Sequence, residues 1–309
     1  MKHIWMQTII LMIVFAGIML IMRSIDLLKK PFRIQNMKLA LAELIAVLSQ
    51  GVGCSARTRP RGWFLAPVLI FVPSFIAFAL LTLGRGISVV DSPANIFLII
   101  LCSELSVAGM FLAGWTSRNA FSFVGAYRSA AQMIGYELPR ILSWIPPMMI
   151  AGSIKITGIH AVQTGYWFGI MPKWFVLYPG IGQLCFSVFM IASIMQCGRL
   201  PFDTAAADDD AAGGYAHDYA GVNYLLITYS RYAYLLTAGV LAAFIFTGGA
   251  AGTVMLIAAI FVLCMLIATK ALPRLTVQQM ISLGWQYIIP AGFIGIIGYM
   301  IIVLKHSWQ

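Results

Sequence analysis

Eight apolar segments, each close to the length of one bilayer crossing, constrain this chain more than any other feature of its sequence. A helix needs about 20 mostly apolar residues to cross the hydrocarbon core of a membrane. The segments are residues 4–22, 63–83, 96–115, 134–154, 174–195, 224–246, 252–272 and 288–304. Runs of this length are typical of helices, which satisfy all their backbone hydrogen bonds inside lipid. The sequence therefore predicts an all-α polytopic membrane protein with eight transmembrane helices, folded as a single membrane domain over residues 1–309.

The composition excludes a water-soluble enzyme. Hydrophobic residues make up 61% of the chain and charged residues only 10%, whereas soluble domains carry about 25% charged residues. The five cysteines are scattered and form no CxxC pair. Because disulfide frameworks and zinc or iron–sulfur sites need clustered thiols, we interpret the cysteines as small apolar residues of the core and expect no metal site.

The basic residues are distributed unevenly between the two predicted sides of the membrane. When each loop is numbered by the span that it follows, the odd loops carry 13 Lys and Arg residues, whereas the even loops and the termini carry 5. Since Lys and Arg concentrate on one side of a membrane protein, this bias places the odd loops on the positive-inside face and both termini opposite. The net charge of +10 then follows from topology, and no nucleic-acid partner is expected.

The positive-inside face carries the two long connections, residues 23–62 and 196–223. In the first, apolar residues recur at helical spacing over 34–48. This pattern predicts an amphipathic helix lying at the membrane interface, and a helix on a solvated loop is the alternative. The second connection is rich in acid and contains Asp203, Asp208, Asp209, Asp210 and Asp218.

Four ionisable residues lie inside the predicted spans: Glu104, Glu137, Arg140 and Arg231. Charges in lipid are costly unless they are paired or hydrated, so these residues are candidates for function. Glu137 and Arg140 stand three residues apart, which brings them within pairing distance on a helix. Prolines at 139, 146 and 147 predict breaks in the same helix, which is typical of a segment beside a hydrated cavity. Buried carboxylates in such a place favour proton exchange.

Three motifs make the chain similar to a known family. The first comprises residues 105–115 (LSVAGMFLAGW) and 125–137 (GAYRSAAQMIGYE), the second is 198–203 (GRLPFD) followed by acids and 219–221 (YAG), and the third is 283–285 (LGW). Over roughly residues 96–300 the chain resembles subunit 1 of respiratory complex I, the proton-pumping NADH:ubiquinone oxidoreductase. The first-loop signature of that family is weak here, and Arg23 and Glu43 are its remnants.

The resemblance implies a subunit without a redox centre or covalently bound cofactor. It implies a place in the membrane arm beneath the quinone-reducing iron–sulfur subunits, in contact with other membrane-arm subunits and lipid, with ubiquinone as substrate. The residues that it assigns to the quinone chamber are Arg23, Glu43, Arg199, Phe202 and Asp203. Those that it assigns to the proton-coupling path are Glu104, Glu137, Asp208, Asp210, Asp218, Arg128 and Arg231.

The chain departs from the family pattern at several acids. Gln196, Ala206, Arg231 and Gln278 stand where the family has acidic residues, and aspartates replace glutamates at 208, 210 and 218. Glu104 is an additional acid in the third span. We expect Glu104 to pair with Arg231; the alternative is that Arg231 meets Glu137 or an acid of the 203–218 segment.

Other functions share part of this pattern. The membrane subunit of an energy-converting hydrogenase, which does not use quinone, and a freestanding proton or ion transporter are the alternatives. The expected location is the mitochondrial inner membrane, with a bacterial plasma membrane as the alternative.

Overall fold

The computed structural model describes residues 15, 17–19, 22, 42, 45–49, 60–81, 92–167, 171–203, 214–248, 251–271 and 273–307. These residues are predominantly helical, as the apolar segments predict. The helices are α1 (Pro60–Ala79), α2 (Asn95–Ser117), α3 (Ala120–Ala151), α4 (Ile156–Val162), α5 (Ile181–Gln196), α6 (Gly221–Phe246), α7 (Ala251–Ala271), α8 (Val277–Leu283) and α9 (Ile289–Ser307).

Between α4 and α5 the chain leaves the helical pattern. A two-residue strand, β1 (Tyr166–Trp167), pairs antiparallel with β2 (Met171–Pro172), and a 3-10 turn follows over Phe175–Leu177. The segment predicted as a span over 174–195 therefore begins irregularly, and its helix starts only at Ile181. Pro179 and Gly180 explain the late start, because proline lacks an N–H and Gly180 adopts a left-handed φ of 79°.

Four helical segments within the described residues are long and apolar enough to cross a membrane. They are Pro60–Ala79, Asn95–Ser117, Gly221–Phe246 and Val277–Ile301, and two shorter apolar helices cover Ile181–Gln196 and Val254–Ile267. Most of the first predicted span and most of the predicted interfacial helix lie outside the described residues. Positions 15, 17–19 and 22 are helical, as are 42 and 45–49. The count of eight spans and the interfacial helix stay predictions.

Helix α6 occupies the centre of the bundle. It contacts α1, α4, α5 and α7, and every residue from Tyr232 to Phe246 is buried. A helix that is apolar on all sides is stable when other helices enclose it. Helix α6 packs closely against α7, since Gly239 of α6 lies against Ala258 and Val262 and has no room for a side chain.

The predicted breaks in α3 are wrong. Pro139, Pro146 and Pro147 all lie inside this helix, which runs continuously over Ala120–Ala151. A proline inside a helix leaves the carbonyl four residues earlier without its usual donor, and for Pro139 that carbonyl belongs to Gly135. The backbone of Gly284 covers it so closely that a Cβ on Gly284 would collide with the Gly135 oxygen. Packing of a second helix against the freed carbonyl explains why α3 stays continuous.

A π-helical turn joins α8 to α9. It spans Gly284–Ile288, and the N–H of Ile289 donates to the carbonyl of Gly284, five residues earlier. Pro290 follows immediately. Because a proline ring clashes with the carbonyl four residues before it, the wider turn gives this ring room.

Gln163 connects three segments at the end of the bundle that lies opposite the long loops. Its side chain is buried and its Nε2 donates to the carbonyls of Ile159 and Ile245, at 3.2 and 2.9 Å. Its Oε1 accepts from the N–H of Phe175 at 2.9 Å. One amide thus satisfies backbone groups of three segments: α4, the end of α6 and the 3-10 turn.

Replacing Gln163 with Leu should destabilise the fold, because it leaves the buried N–H of Phe175 without an acceptor, at a cost of about 1–3 kcal/mol. We expect a lower midpoint in a thermal denaturation series of the purified protein in detergent. Gln278→Leu is the matched control, since Gln278 is exposed. Equal midpoints for the two variants would contradict this role.

Candidate functional site

A buried ion pair on α3 lies at the centre of the candidate site. Arg140 donates from Nη2 to Glu137 Oε1 at 2.5 Å and to Ser103 Oγ of α2 at 2.8 Å. Arg140 is only 2% exposed, so the pairing predicted from the sequence spacing is confirmed. The Ser103 hydroxyl also lies 3.4 Å from Glu137 Oε2. One serine of α2 therefore contacts both members of the pair and holds α2 against α3.

Glu104 brings a second carboxyl group to this pair. It follows Ser103 on α2, and its carboxyl group lies within electrostatic range of Glu137 and Arg140. The guanidinium of Arg140 also stands over the ring of Trp144, 5.4 Å from the ring centroid. We call Glu104, Glu137 and Arg140 the buried triad after Arg140, its buried member; both glutamates are half-buried.

A second charge group surrounds Asp203, where the chain has left α5. Arg231 Nη1 of α6 lies 3.9 Å from Asp203 Oδ1, and Arg274 Nη2 lies 3.9 Å from Asp203 Oδ2. Arg231 is also 5.9 Å from the ring centroid of Tyr215. We call Asp203, Arg231 and Arg274 the Asp203 cluster. One carboxylate here draws two cations together at the end of the bundle that faces the long loops.

The backbone of the GRLPFD segment is held by hydrogen bonds. Gly198 ends α5 with a left-handed φ of 56°. Phe202 donates to the carbonyl of Arg199 at 2.7 Å, and Leu275 donates to the carbonyl of Pro201 at 2.9 Å. The guanidinium of Arg199 stands 4.5 Å from the ring centroid of Tyr232. These contacts fix the segment against α6 and the connection that precedes α8.

Gln132 of α3 connects this segment to the rest of the site. Its Nε2 donates to the carbonyls of Met195 and Phe202, the latter at 3.0 Å. The Phe202 side chain is buried in the main core. The predicted chamber residue Phe202 thus also anchors its own segment.

A small cavity lies beside Arg231 of the Asp203 cluster. Its volume is about 30 Å³, and its lining includes Arg231 and Gln196 together with Ser129, Gln132 and Tyr136 of α3. Gln132 Oε1 is buried without a hydrogen-bond partner among the described residues. Because about 15 Å³ is enough for one water that polar groups can bind, this cavity suits water. Tyr136 of the fourth predicted span lines this cavity, and the hydration predicted beside that span stays a prediction.

The lining of the cavity includes one residue of the Asp203 cluster and one neighbour of the triad. Arg231 belongs to the Asp203 cluster, and Tyr136 directly precedes Glu137 in α3. Cys197, which also lines the cavity, lies within the fields of both Arg199 and Arg140. Burial raises the pKa of the Cys197 thiol to about 12, so this sulfur stays protonated and neutral.

Asp218 belongs to a separate group near the start of α3. Its carboxylate accepts from Ser122 Oγ at 2.7 Å and from Asn119 Nδ2 at 3.2 Å. Nearby, the ring of Tyr219 stacks on Trp63 with 3.9 Å between centroids. Arg128 lies on α3, half-buried. The remaining predicted residues, Arg23, Glu43, Asp208 and Asp210, lie outside the described residues.

The predicted pair of Glu104 and Arg231 is wrong. Arg231 instead pairs with Asp203, as the alternative held, and Glu104 interacts with Glu137 and Arg140. Similar depth in the membrane does not place two side chains on facing sides of their helices. Ser103 and Arg274 were not singled out from the sequence, because neither a lone serine in an apolar span nor a loop arginine carries a distinctive pattern.

Comparison with known proteins assigns the chain to a family. The sequence model described as NADH dehydrogenase matches residues 39–300. The chain belongs to the NADH dehydrogenase family. The H subunit of NADH-quinone oxidoreductase from Dehalococcoides mccartyi is 31% identical over 257 residues, which cover 81% of this chain and 70% of that protein. The H subunit from Brevibacillus brevis is 30% identical, over 77% of this chain and 72% of the relative.

The relatives belong to the family that the sequence motifs indicate. A Geobacter sulfurreducens protein, numbered H 2 among the NADH-quinone oxidoreductase subunits, is 29% identical, over 83% of this chain and 80% of that protein. The predicted membership of the complex I subunit 1 family is therefore confirmed, and the hydrogenase alternative is not favoured. All three of these relatives come from bacteria.

Removing the cation of the buried triad should destabilise this protein more than removing one of its carboxyl groups. Arg140→Met leaves two carboxyl groups without a counter-charge, and breaking a buried pair in this way costs about 3–5 kcal/mol. Glu137→Gln leaves Arg140 facing Glu104. We expect Arg140→Met to abolish accumulation of the protein in membranes, measured by quantitative immunoblot, and Glu137→Gln to be milder.

The control for this pair of variants is Ser143→Ala. Ser143 is fully buried beside Arg140, yet its hydroxyl donates to the carbonyl of Arg140 on its own helix, at 2.6 Å. It should accumulate as wild type. If Arg140→Met accumulates as well as Ser143→Ala, the triad does not stabilise the fold.

Proposed function

We propose that this chain is the membrane subunit that borders the quinone site of a proton-translocating NADH:quinone oxidoreductase. It carries no redox centre and no covalently bound cofactor in this proposal. The observation that carries it is the Asp203 cluster, which the GRLPFD segment holds at the loop end of the bundle. The match to the NADH dehydrogenase family, which includes Asp203, supports the same proposal.

The polar end of the quinone site is proposed at the GRLPFD segment. A quinone needs an apolar passage for its tail and a few donors for its ring carbonyls. Arg199, Arg231 and Arg274 are donors of this kind, and Asp203 holds two of them in place. Phe202 forms the apolar floor of the segment, and Arg23 and Glu43 are proposed to join from the first long loop.

The proton-coupling role is proposed for the charge groups on either side of the cavity. Reducing a quinone to a quinol consumes protons together with electrons, so the charge beside Asp203 changes during turnover. A water-sized cavity is lined by both Arg231 and Tyr136, and Tyr136 directly precedes Glu137 of the buried triad. Arg128, Asp208, Asp210 and Asp218 are proposed to connect this path with the inside surface.

The proposed topology keeps eight spans, an interfacial helix over 34–48 and the long loops on one side. There the loops meet the quinone-reducing iron–sulfur subunits, while the spans contact other membrane-arm subunits and lipid. Since the relatives are bacterial, we propose the bacterial plasma membrane as the location, in preference to the mitochondrial inner membrane.

The test is Asp203→Asn in the assembled oxidoreductase. Removing this charge leaves Arg231 and Arg274 facing each other, so their guanidinium groups separate and the quinone loses its positioned donors. We expect NADH:quinone activity to fall at least about tenfold, equivalent to about 1.4 kcal/mol. Activity with an artificial acceptor that takes electrons before the quinone step should stay at the wild-type level.

Lys155→Gln is the control, because Lys155 is exposed just before α4, at the other end of the bundle. It should leave both activities intact. Unchanged quinone activity in Asp203→Asn would overturn the proposed quinone site. Hydrogen evolution by a quinone-independent assembly would instead support the hydrogenase alternative.

A further inference from the structure

We propose that the turn between α2 and α3 binds one anionic phospholipid, with its phosphate on Arg118 and an acyl chain against Trp115 and Phe123. This site lies outside the proposed quinone chamber and the proposed proton-coupling path. Three features carry it: a preformed cleft, a cation that no described residue pairs with, and an exposed apolar stripe that leads to this cation.

The cleft opens at the end of α2 and has a volume of about 340 Å³. Its lining comprises Gly114, Trp115, Arg118, Asn119, Ala120 and Phe123. Ligand sites in proteins have volumes of about 300–1,000 Å³, so the cleft is large enough for a lipid headgroup. Its walls are fixed, because Gly114 packs so closely on Ser122 and Ala126 of α3 that a Cβ there would collide with both. A ligand therefore meets a site that the packing of two helices has already shaped.

Arg118 supplies the charge of the cleft. It is exposed and directly follows the last residue of α2, and no hydrogen bond or ion pair joins it to another described residue. Arginine binds a phosphate through two parallel N–H donors, which makes the contact both strong and directional. The other polar side chain of the lining, Asn119, already accepts from the N–H of Phe121 and donates to Asp218. Arg118 is therefore the side-chain donor that a ligand in this cleft meets.

The acid that contacts the lining, Asp218, leaves Arg118 available. Its carboxylate accepts from Ser122 Oγ at 2.7 Å and from Asn119 Nδ2 at 3.2 Å, and Asp218 is not part of the lining. Two donors therefore already hold this carboxylate on the α3 side of the turn. The counter-charge of Arg118 has to come from outside the described part of the chain.

The apolar part of the site is a cluster of three aromatic rings. Phe111, Trp115 and Phe123 stand with their ring centroids 5.9, 6.1 and 6.3 Å apart, and the last two are exposed. From Trp115 the exposed side of α2 continues through Ala108 to Leu105. At 1.5 Å per residue, the distance from Leu105 to Trp115 is about 15 Å, which is the depth of one leaflet. An acyl chain can therefore follow this stripe from the headgroups to the middle of the bilayer.

The order of these groups along α2 matches the order of the parts of a phospholipid. This helix is long and apolar enough to cross a membrane. Tryptophan near the end of such a helix is typical of the boundary between hydrocarbon and headgroups, and Trp115 lies two residues before the end of α2. Arg118 follows it by three residues, which places the cation at the level of the headgroups. The exposed apolar side chains before it lie at the level of the hydrocarbon.

The charge of the site favours an anionic lipid over a zwitterionic one. Phosphatidylcholine and phosphatidylethanolamine carry a cation next to their phosphate, which repels Arg118, whereas phosphatidylglycerol has a net negative charge. The bias of basic residues predicts that this turn lies on the inside face, where each basic residue strengthens binding to anionic lipid about fivefold. A helix of a neighbouring subunit is the competing occupant, and the labelling experiment distinguishes it from lipid.

The experiment is photolabelling of the assembled oxidoreductase in phosphatidylcholine nanodiscs that contain a trace of a photoactivatable lipid. One probe is a phosphatidylglycerol and the other a phosphatidylcholine, and both carry the same diazirine group on an acyl chain. Mass spectrometry measures the label on residues 111–123. We expect at least about fivefold more label from the phosphatidylglycerol probe, because its headgroup has a net negative charge.

The variant that tests the cation is Arg118→Asn, which should remove the preference for phosphatidylglycerol. Arg118 has a left-handed φ of 52°, which asparagine adopts more readily than most residues, so the turn should stay intact. Arg118→Lys keeps the charge and should retain most of the preference. The matched control is Arg61→Gln, which should label as wild type. Arg61 is exposed at the same end of the bundle, since Gly62 contacts Thr116, but it does not line the cleft.

Three results would overturn the proposal. The first is equal labelling by the two probes, or an equal loss of preference in Arg118→Asn and Arg61→Gln. The second is the absence of label from both probes, because a polypeptide then covers the cleft. The third is displacement of the phosphatidylglycerol probe by soluble glycerol phosphate, which would show that the cleft binds an anion without an acyl chain. Labelling needs no turnover, so its result is readable whether or not the Asp203→Asn test supports the proposed quinone site.

Discussion

The need to neutralise Arg140 inside an apolar bundle is the constraint on which the rest of the structure depends. A guanidinium that is 2% exposed is costly unless it has a counter-charge and hydrogen-bond acceptors. Glu137 supplies the charge from the same helix, and Ser103 supplies an acceptor from α2. This arrangement fixes the rotation and the depth of α2 relative to α3. The position of the cavity, which residues of both helices line, depends on this arrangement of α2 and α3.

Helix α6 explains why the buried charges of the described bundle lie away from its far end. From Tyr232 to Phe246 it is buried on every side, which leaves no room for hydrated groups. Its charged contact therefore comes from the preceding turns, where Arg231 reaches Asp203. At the far end the buried amide of Gln163 satisfies backbone carbonyls without introducing any charge. The described bundle is thus polar at its loop end and sealed by a neutral amide at the other.

Much of this could be predicted from the sequence, and the failures have physical causes. Apolar run length predicted the helices, and the i,i+3 spacing predicted the Glu137–Arg140 pair, because both depend on local periodicity. The pairing of Glu104 with Arg231 failed because depth along a helix says nothing about the direction a side chain faces. The continuity of α3 was missed because Gly284, distant in the sequence, covers the carbonyl that Pro139 leaves free. The role of Arg274 depends on a loop contact that no spacing rule encodes.

The size of the cavity beside Tyr136 sets what can travel through this part of the membrane. At about 30 Å³ it accommodates water, but neither a quinone ring nor a sodium or potassium ion with its hydration shell. A proton can pass along hydrogen-bonded water without displacing it, whereas larger solutes cannot enter. In the proposed function, a proton path that uses this cavity would therefore exclude other ions by their size. Such a path would preserve the membrane potential.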